Sequence, residues 1–190
     1  MNYGACPIAN MYYSAFTGPQ ASGLSANVAE EPMTVDITIL VGTMTGTAEI
    51  VAEEVQLALE AAGHAATIAP MDGLDARVFD SGGAFLIVTS TYGNGDVPDN
   101  AQAFFAAIEA ARPNLAHVSF GVVALGDRTY KATFCEGGLK FGRLLVELGA
   151  RRVGEPMLHD ASAGTLPEEV AAEWVVGWVE RHLAPALEAA

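Results

Sequence analysis

The chain has 190 residues, with 23 Asp and Glu against 9 Lys and Arg, a formal net charge of −14 and 51 % hydrophobic residues. That length fits one domain with a sizeable core, and no apolar run reaches the ~18 residues of a membrane span. The acidic balance argues against nucleic acid and anionic membranes as partners and for basic protein partners.

Residues 1–32 are rich in Ser, Gly, Ala, Asn and Tyr, carry no charge before Glu30 and show no period. They read as a flexible N-terminal extension. They also lack the basic n-region of a secretory signal, and Met33 is a candidate translation start. The folded domain is expected over residues 33–190. Its first strand, Thr34 to Gly42, runs into Thr43-Met44-Thr45-Gly46-Thr47-Ala48, which opens a helix from Thr47 to Ala62. Val51, Val55, Ala58 and Ala62 share one helical face.

A hydroxyl-rich turn between a strand and a helix is a phosphate cradle, because the first N–H groups of the helix point outward with a partial positive charge. The first basic residue of the chain is Arg77. The loop therefore lacks the Gly-Lys-Ser/Thr of a nucleoside-triphosphate site and suits one terminal phosphate.

Ala65 to Ala69 is a short strand stopped by Pro70. Ala84 to Ser90 and Val118 to Leu125 are continuous apolar runs, as expected for strands buried on both faces. Asp99 and Gln102 read as a capping box for a helix from Asn100 to Ala111. A further helix is expected from Cys135 to Leu148 and a last strand from Arg152 to Leu158. A final helix would start at Thr165 and Glu168 and carry Trp174 and Trp178 as core anchors. Five strands alternating with helices give an α/β fold with a doubly wound parallel sheet, whose ligands sit at the carboxyl ends of the strands.

Two more loops lie at such ends. Ser90-Thr91-Tyr92-Gly93-Asn94-Gly95 offers a Tyr beside glycines that let backbone approach a ligand. Leu125-Gly126-Asp127 leads to Tyr130, Phe134 and Cys135. One phosphate loop and two Tyr-bearing loops on neighbouring strands form the layout for a flat redox ring with a phosphate tail. Cys6 and Cys135 lie far apart with no CxxC, which fits a reducing cytoplasm better than a disulfide framework. The four His are scattered, so no metal site is expected.

The motifs TMTGTAE, STYGNGDVPDNAQAFF and ALGDRTYKATFC resemble the three FMN-binding loops of the flavodoxin family. The likeness is closest to MioC-type short-chain flavodoxins and extends to the FMN domains of cytochrome P450 reductase and sulfite reductase. It covers about Thr34 to Leu183. It implies a five-stranded sheet of order 2-1-3-4-5 in a three-layer α/β/α domain. It also implies that Thr43, Met44, Thr45, Gly46, Thr47 and Ala48 bind the FMN phosphate. Thr91, Tyr92 and Gly93 would flank one face of the isoalloxazine, with Ser90, Asn94 and Gly95 in the same loop. Leu125, Gly126, Asp127 and Tyr130 would cover the other face, with Phe134 and Cys135 close by. Asp160 falls where the diflavin domains carry an acidic flavin-site residue. Met44 departs from a position often polar in the family, although its N–H still donates, and residues 1–32 have no counterpart there.

The resemblance implies a cytoplasmic, monomeric electron carrier. It would take single electrons from a separate, basic-faced NAD(P)H-dependent flavin reductase and pass them to a redox acceptor protein. The chain ends soon after the final helix, so no FAD or NADPH module is expected within it, and no residues stand in an acid–base or nucleophilic arrangement for independent turnover. The rival reading is a flavodoxin-like NAD(P)H:quinone reductase. A receiver domain would need acidic residues where Gly42-Thr43-Met44 stand.

Overall fold

In a computed structural model the chain is described from Met33 to Ala189, and the extension expected over residues 1–32 lies outside the described residues. Strands β1 (Asp36–Gly42), β2 (Ala65–Pro70), β3 (Gly83–Ser90) and β4 (Val118–Gly126) are joined by helices α1 (Thr47–Ala61) and α2 (Asp99–Ala111), with a 3-10 turn at Ala76–Phe79 before β3. Helix α3 (Glu136–Glu147) follows, then the short strands β5 (Arg151–Arg152) and β6 (Met157–Asp160), helix α4 (Pro167–Trp178), a π turn (Val179–Leu183) and α5 (Ala184–Glu188). All pairings in the main sheet are parallel, in the order β2-β1-β3-β4-β5, and β6 also pairs with β4.

The apolar runs are explained by burial on both faces. Ile37, Ile39 and Val41 of β1 with Leu86 and Val88 of β3 pack under α1 and α4. Leu40, Phe85, Ile87, Phe120 and Val122 pack on the opposite side under α2 and α3. Alternate residues of one strand feed two separate cores, so the inner strands are almost wholly apolar, with Thr89 and Ser119 their buried polar side chains, and the α/β/α layering follows.

Three local details differ from the sequence expectations. The fifth strand position is split, because Val153–Pro156 leaves the sheet between β5 and β6, with Gly154 at φ 70°. Asp99 and Gln102 form no capping box. Pro98 occupies the N-cap of α2, and Gln102 Nε2 donates to Asp99 Oδ1 at 3.0 Å. Helix α4 begins at Pro167 after Leu166, because Thr165 is engaged elsewhere, with its Oγ1 3.1 Å from His159 Nε2.

Candidate functional site

The connections place α1 on one side of the sheet and α2 on the other, so the chain diverges between the carboxyl ends of β1 and β3. A crevice opens at such a point. Here it is a cavity of about 610 Å³, well within the range of small-molecule sites.

One end is the loop from Thr43 to Ala48. Asn100 of α2 pins it, accepting from Thr43 N–H at 2.8 Å and donating to Val41 O at 3.4 Å. Gly46 N–H closes on Thr43 Oγ1 at 3.0 Å. Gly46 is the N-cap of α1 at φ 88°, a left-handed conformation that glycine adopts without strain. It offers no side-chain cap, so the helix leaves its own donors open. The N–H groups of Met44, Thr45, Thr47 and Ala48 meet no protein acceptor among the described residues, although Ala48 is fully buried. Converging unpartnered amides at a helix start, with no cation in the loop, fit a singly esterified phosphate. Thr47 brings this loop to the cavity wall.

The second wall is the loop after β3. Ser90, Thr91 and Gly93 face the cavity. Tyr92 and Asp96 pair across a tight hairpin, exchanging N–H···O bonds of 3.0 and 2.8 Å, with Gly93, Asn94 and Gly95 between them. Gly93 and Gly95 have φ 52° and 85°. Tyr92 is 48 % exposed and is not among the residues that line the cavity. Thr91 Oγ1 accepts from Gly137 N–H at the start of α3 at 3.2 Å, which ties this wall to the next.

The third wall is the loop after β4. Leu125, Gly126, Asp127 and Tyr130 line the cavity. Asp127 Oδ1 caps the turn through Thr129 N–H at 2.7 Å. Tyr130 is 68 % exposed, an aromatic ring with no protein surface to cover it.

Phe134, Cys135 and Asp160 support this wall from behind. The Arg128 guanidinium lies 4.7 Å above the Phe134 ring. Asp160 Oδ1 accepts Arg128 N–H at 3.0 Å, and this bond is the main reason its carboxyl sits below the usual range. Cys135 is fully buried behind Gly126, with its thiol directed at Ala124 O. Burial pushes that thiol up to about 12. Iodoacetamide at about pH 8 is therefore expected to leave Cys135 unmodified in the native protein and to alkylate it after denaturation. Peptide mass mapping checks this, and rapid native labelling would show the thiol to be reachable.

A fourth wall was not anticipated. His159, Ala161, Thr165 and Pro167, with Thr133 of the third loop, complete the cavity. His159 is 5 % exposed and held by Thr165. The available signal was positional, since this segment also follows the carboxyl end of a strand.

Ion pairs offset several of the acids beside the cavity. Asp96 is paired with Lys140 at 2.9 Å, Glu136 with Arg143 at 2.6 Å and Asp160 with Arg128 at 3.7 Å.

The family model for flavodoxin matches residues 39–174. Flavodoxin YqcA of Escherichia coli is 41 % identical over 143 residues, covering 75 % of this chain and 95 % of that protein. MioC of Escherichia coli is 36 % identical over 144 residues, covering 76 % and 96 %. The solved structure of a C101A mutant of a flavodoxin from Pseudomonas aeruginosa matches with a TM-score of 0.69 at 39 % identity, covering 76 % of this chain and 97 % of that one. The chain belongs to the flavodoxin family, whose cofactor is FMN.

Proposed function

We propose that this chain carries single electrons on one bound FMN, from a separate NAD(P)H-dependent flavin reductase to an acceptor protein. The observation that carries the reading is the cavity itself, with unpartnered amides at one end and the exposed Tyr130 in its wall. FMN supplies the redox chemistry, and the protein supplies binding, electrostatics and a docking face.

Thr43 to Ala48 hold the phosphate through N–H groups and hydroxyls. The Tyr92–Asp96 hairpin bounds one face of the ring and presents the backbone of Gly93 and Gly95. Leu125 to Asp127 and Tyr130 bound the other, and Leu125 keeps water from it. Tyr130 remains open on its outer side, where a partner docks. The four loops of one chain complete the cavity, which supports action as a monomer. The working domain is the segment from Met33 onward, and the cysteine usage supports a cytoplasmic setting.

Extraction of the cofactor from the reconstituted protein is expected to yield FMN in a one-to-one ratio; FAD, or no flavin, would refute the reading. Tyr130→Ala is expected to weaken FMN binding by about 1–3 kcal/mol, for lost stacking and buried ring area. Fluorescence titration measures it, and unchanged affinity would remove Tyr130 from the site.

A further inference from the structure

A second hollow lies where the fifth strand position is interrupted. The chain leaves the sheet at Val153–Pro156, and the last helix crosses the gap in its π turn, Val179–Leu183. Such wide turns are rare and recur at functional sites. The break and the turn bring Arg151, Arg152, Arg181 and His182 together. Two adjoining cavities, of about 420 and 280 Å³, share Arg152, Gly154, Arg181 and His182. The larger is floored by the indoles of Trp174 and Trp178, and Arg151 adds to the wall of the smaller.

Three of the 9 Lys and Arg of a strongly acidic chain thus meet in one place. Little neutralises them. Arg152 faces the exposed Glu155 at 3.9 Å, and Arg151 Nη1 donates to Ala186 O at 2.9 Å. The Arg181 guanidinium and the His182 ring have no hydrogen-bond or ion-pair partner among the described residues. Both side chains are exposed, and the Arg181 guanidinium folds back over Gly177, one turn earlier. Gathering three arginines beside the single carboxylate of Glu155 leaves these cavity walls net positive, which a bound anion offsets.

We propose that this hollow binds a phosphate ester carried on a flat aromatic ring, the chemistry of a nucleoside monophosphate. Arg152 and Arg181 hold the phosphate in charge-assisted bonds, and the ring lies against Trp174. The site is independent of the FMN cavity. The larger cavity sets the Trp174 ring beside Arg152 and Arg181, so a ligand that carries both ring and phosphate makes contacts there that neither fragment makes alone.

The test uses the FMN-loaded full chain, with adenosine monophosphate, adenosine and inorganic phosphate as probes at low salt. Calorimetry gives affinity, and indole emission locates the event, because both tryptophans of the chain stand at this hollow. Adenosine monophosphate is expected to saturate one site and to bind more tightly than either fragment. Arg181→Gln and Arg152→Gln should each weaken it roughly tenfold, the order for losing a charge-assisted bond. Trp174→Leu should bring its affinity down to that of inorganic phosphate. An unchanged flavin spectrum shows that the variants remain folded. No saturation up to about 10 mM, an affinity tenfold weaker than the millimolar level, would overturn the proposal. So would unchanged affinity in both Arg variants, or adenosine binding as well as its monophosphate.

Discussion

Trp178→Ala is expected to remove about 3–5 kcal/mol of stability, the usual cost of deleting a large aromatic from a core. Trp178 is 1 % exposed. Its ring packs on Gly121 of the inner strand β4, so closely that a methyl group at Gly121 would overlap it. Its Nε1 donates to Val153 O at 2.7 Å, and Trp174 stacks on it with centroids 5.6 Å apart and planes 14° from parallel. Val153 lies in the break of the fifth strand position, so the indole N–H substitutes for a missing ladder bond there. Removing it leaves a cavity and also orphans that buried carbonyl, a further destabilising effect. For a chain of this size the loss corresponds to a fall in Tm of about 6–20 °C. Trp178→Phe keeps most of the packing, loses the hydrogen bond and should fall in between. Calorimetric unfolding of the three proteins checks this order. A shift below about 3 °C for Trp178→Ala would show that the indole is no anchor of the strand break.

The same region shows where the sequence was legible and where it was not. Strands β3 and β4 could be read because burial on both faces writes an unbroken apolar run. The loop from Thr43 to Ala48 could be read because the chemistry of a helix start is local. The break at Val153–Pro156 was hidden inside a segment that still reads as a strand, since the bond closing it comes from Trp178, 25 residues on. Asp99 and Gln102 carry the spacing of a capping box, but Pro98 fixes the N-cap and leaves the two side chains to each other. The wall formed by His159 and Thr165 was missed because a lone His near a helix start has no local pattern. Lys140 lies 44 residues from Asp96, so only the fold shows that this acid is paired.

That pairing sharpens what electrostatics should do at the cavity proposed to hold FMN. Asp96, Glu136 and Asp160 are already offset by Lys140, Arg143 and Arg128, which leaves Asp99 and Asp127 as rim acids without an ion pair among the described residues. Attraction of a cationic partner should then come from the net charge of −14 spread over the chain, with Asp99 and Asp127 giving it direction at the rim. With the FMN-loaded, reduced protein, oxidation by a cationic small acceptor such as hexaammineruthenium(III) should slow by about tenfold or more as salt rises from low to ~0.5 M, where the Debye length is only about 4 Å. Oxidation by ferricyanide, an anion, should quicken over the same range. Asp99→Asn and Asp96→Asn should each lower the low-salt rate with the cation, the first by removing an unpaired acid and the second by leaving Lys140 as an uncompensated cation. Both should leave FMN affinity nearly intact because neither side chain lines the cavity. Stopped-flow rates against ionic strength decide it. Slopes of the same sign for the two acceptors would mean that charge does not steer access to this site, and that the acidic surface serves solubility alone.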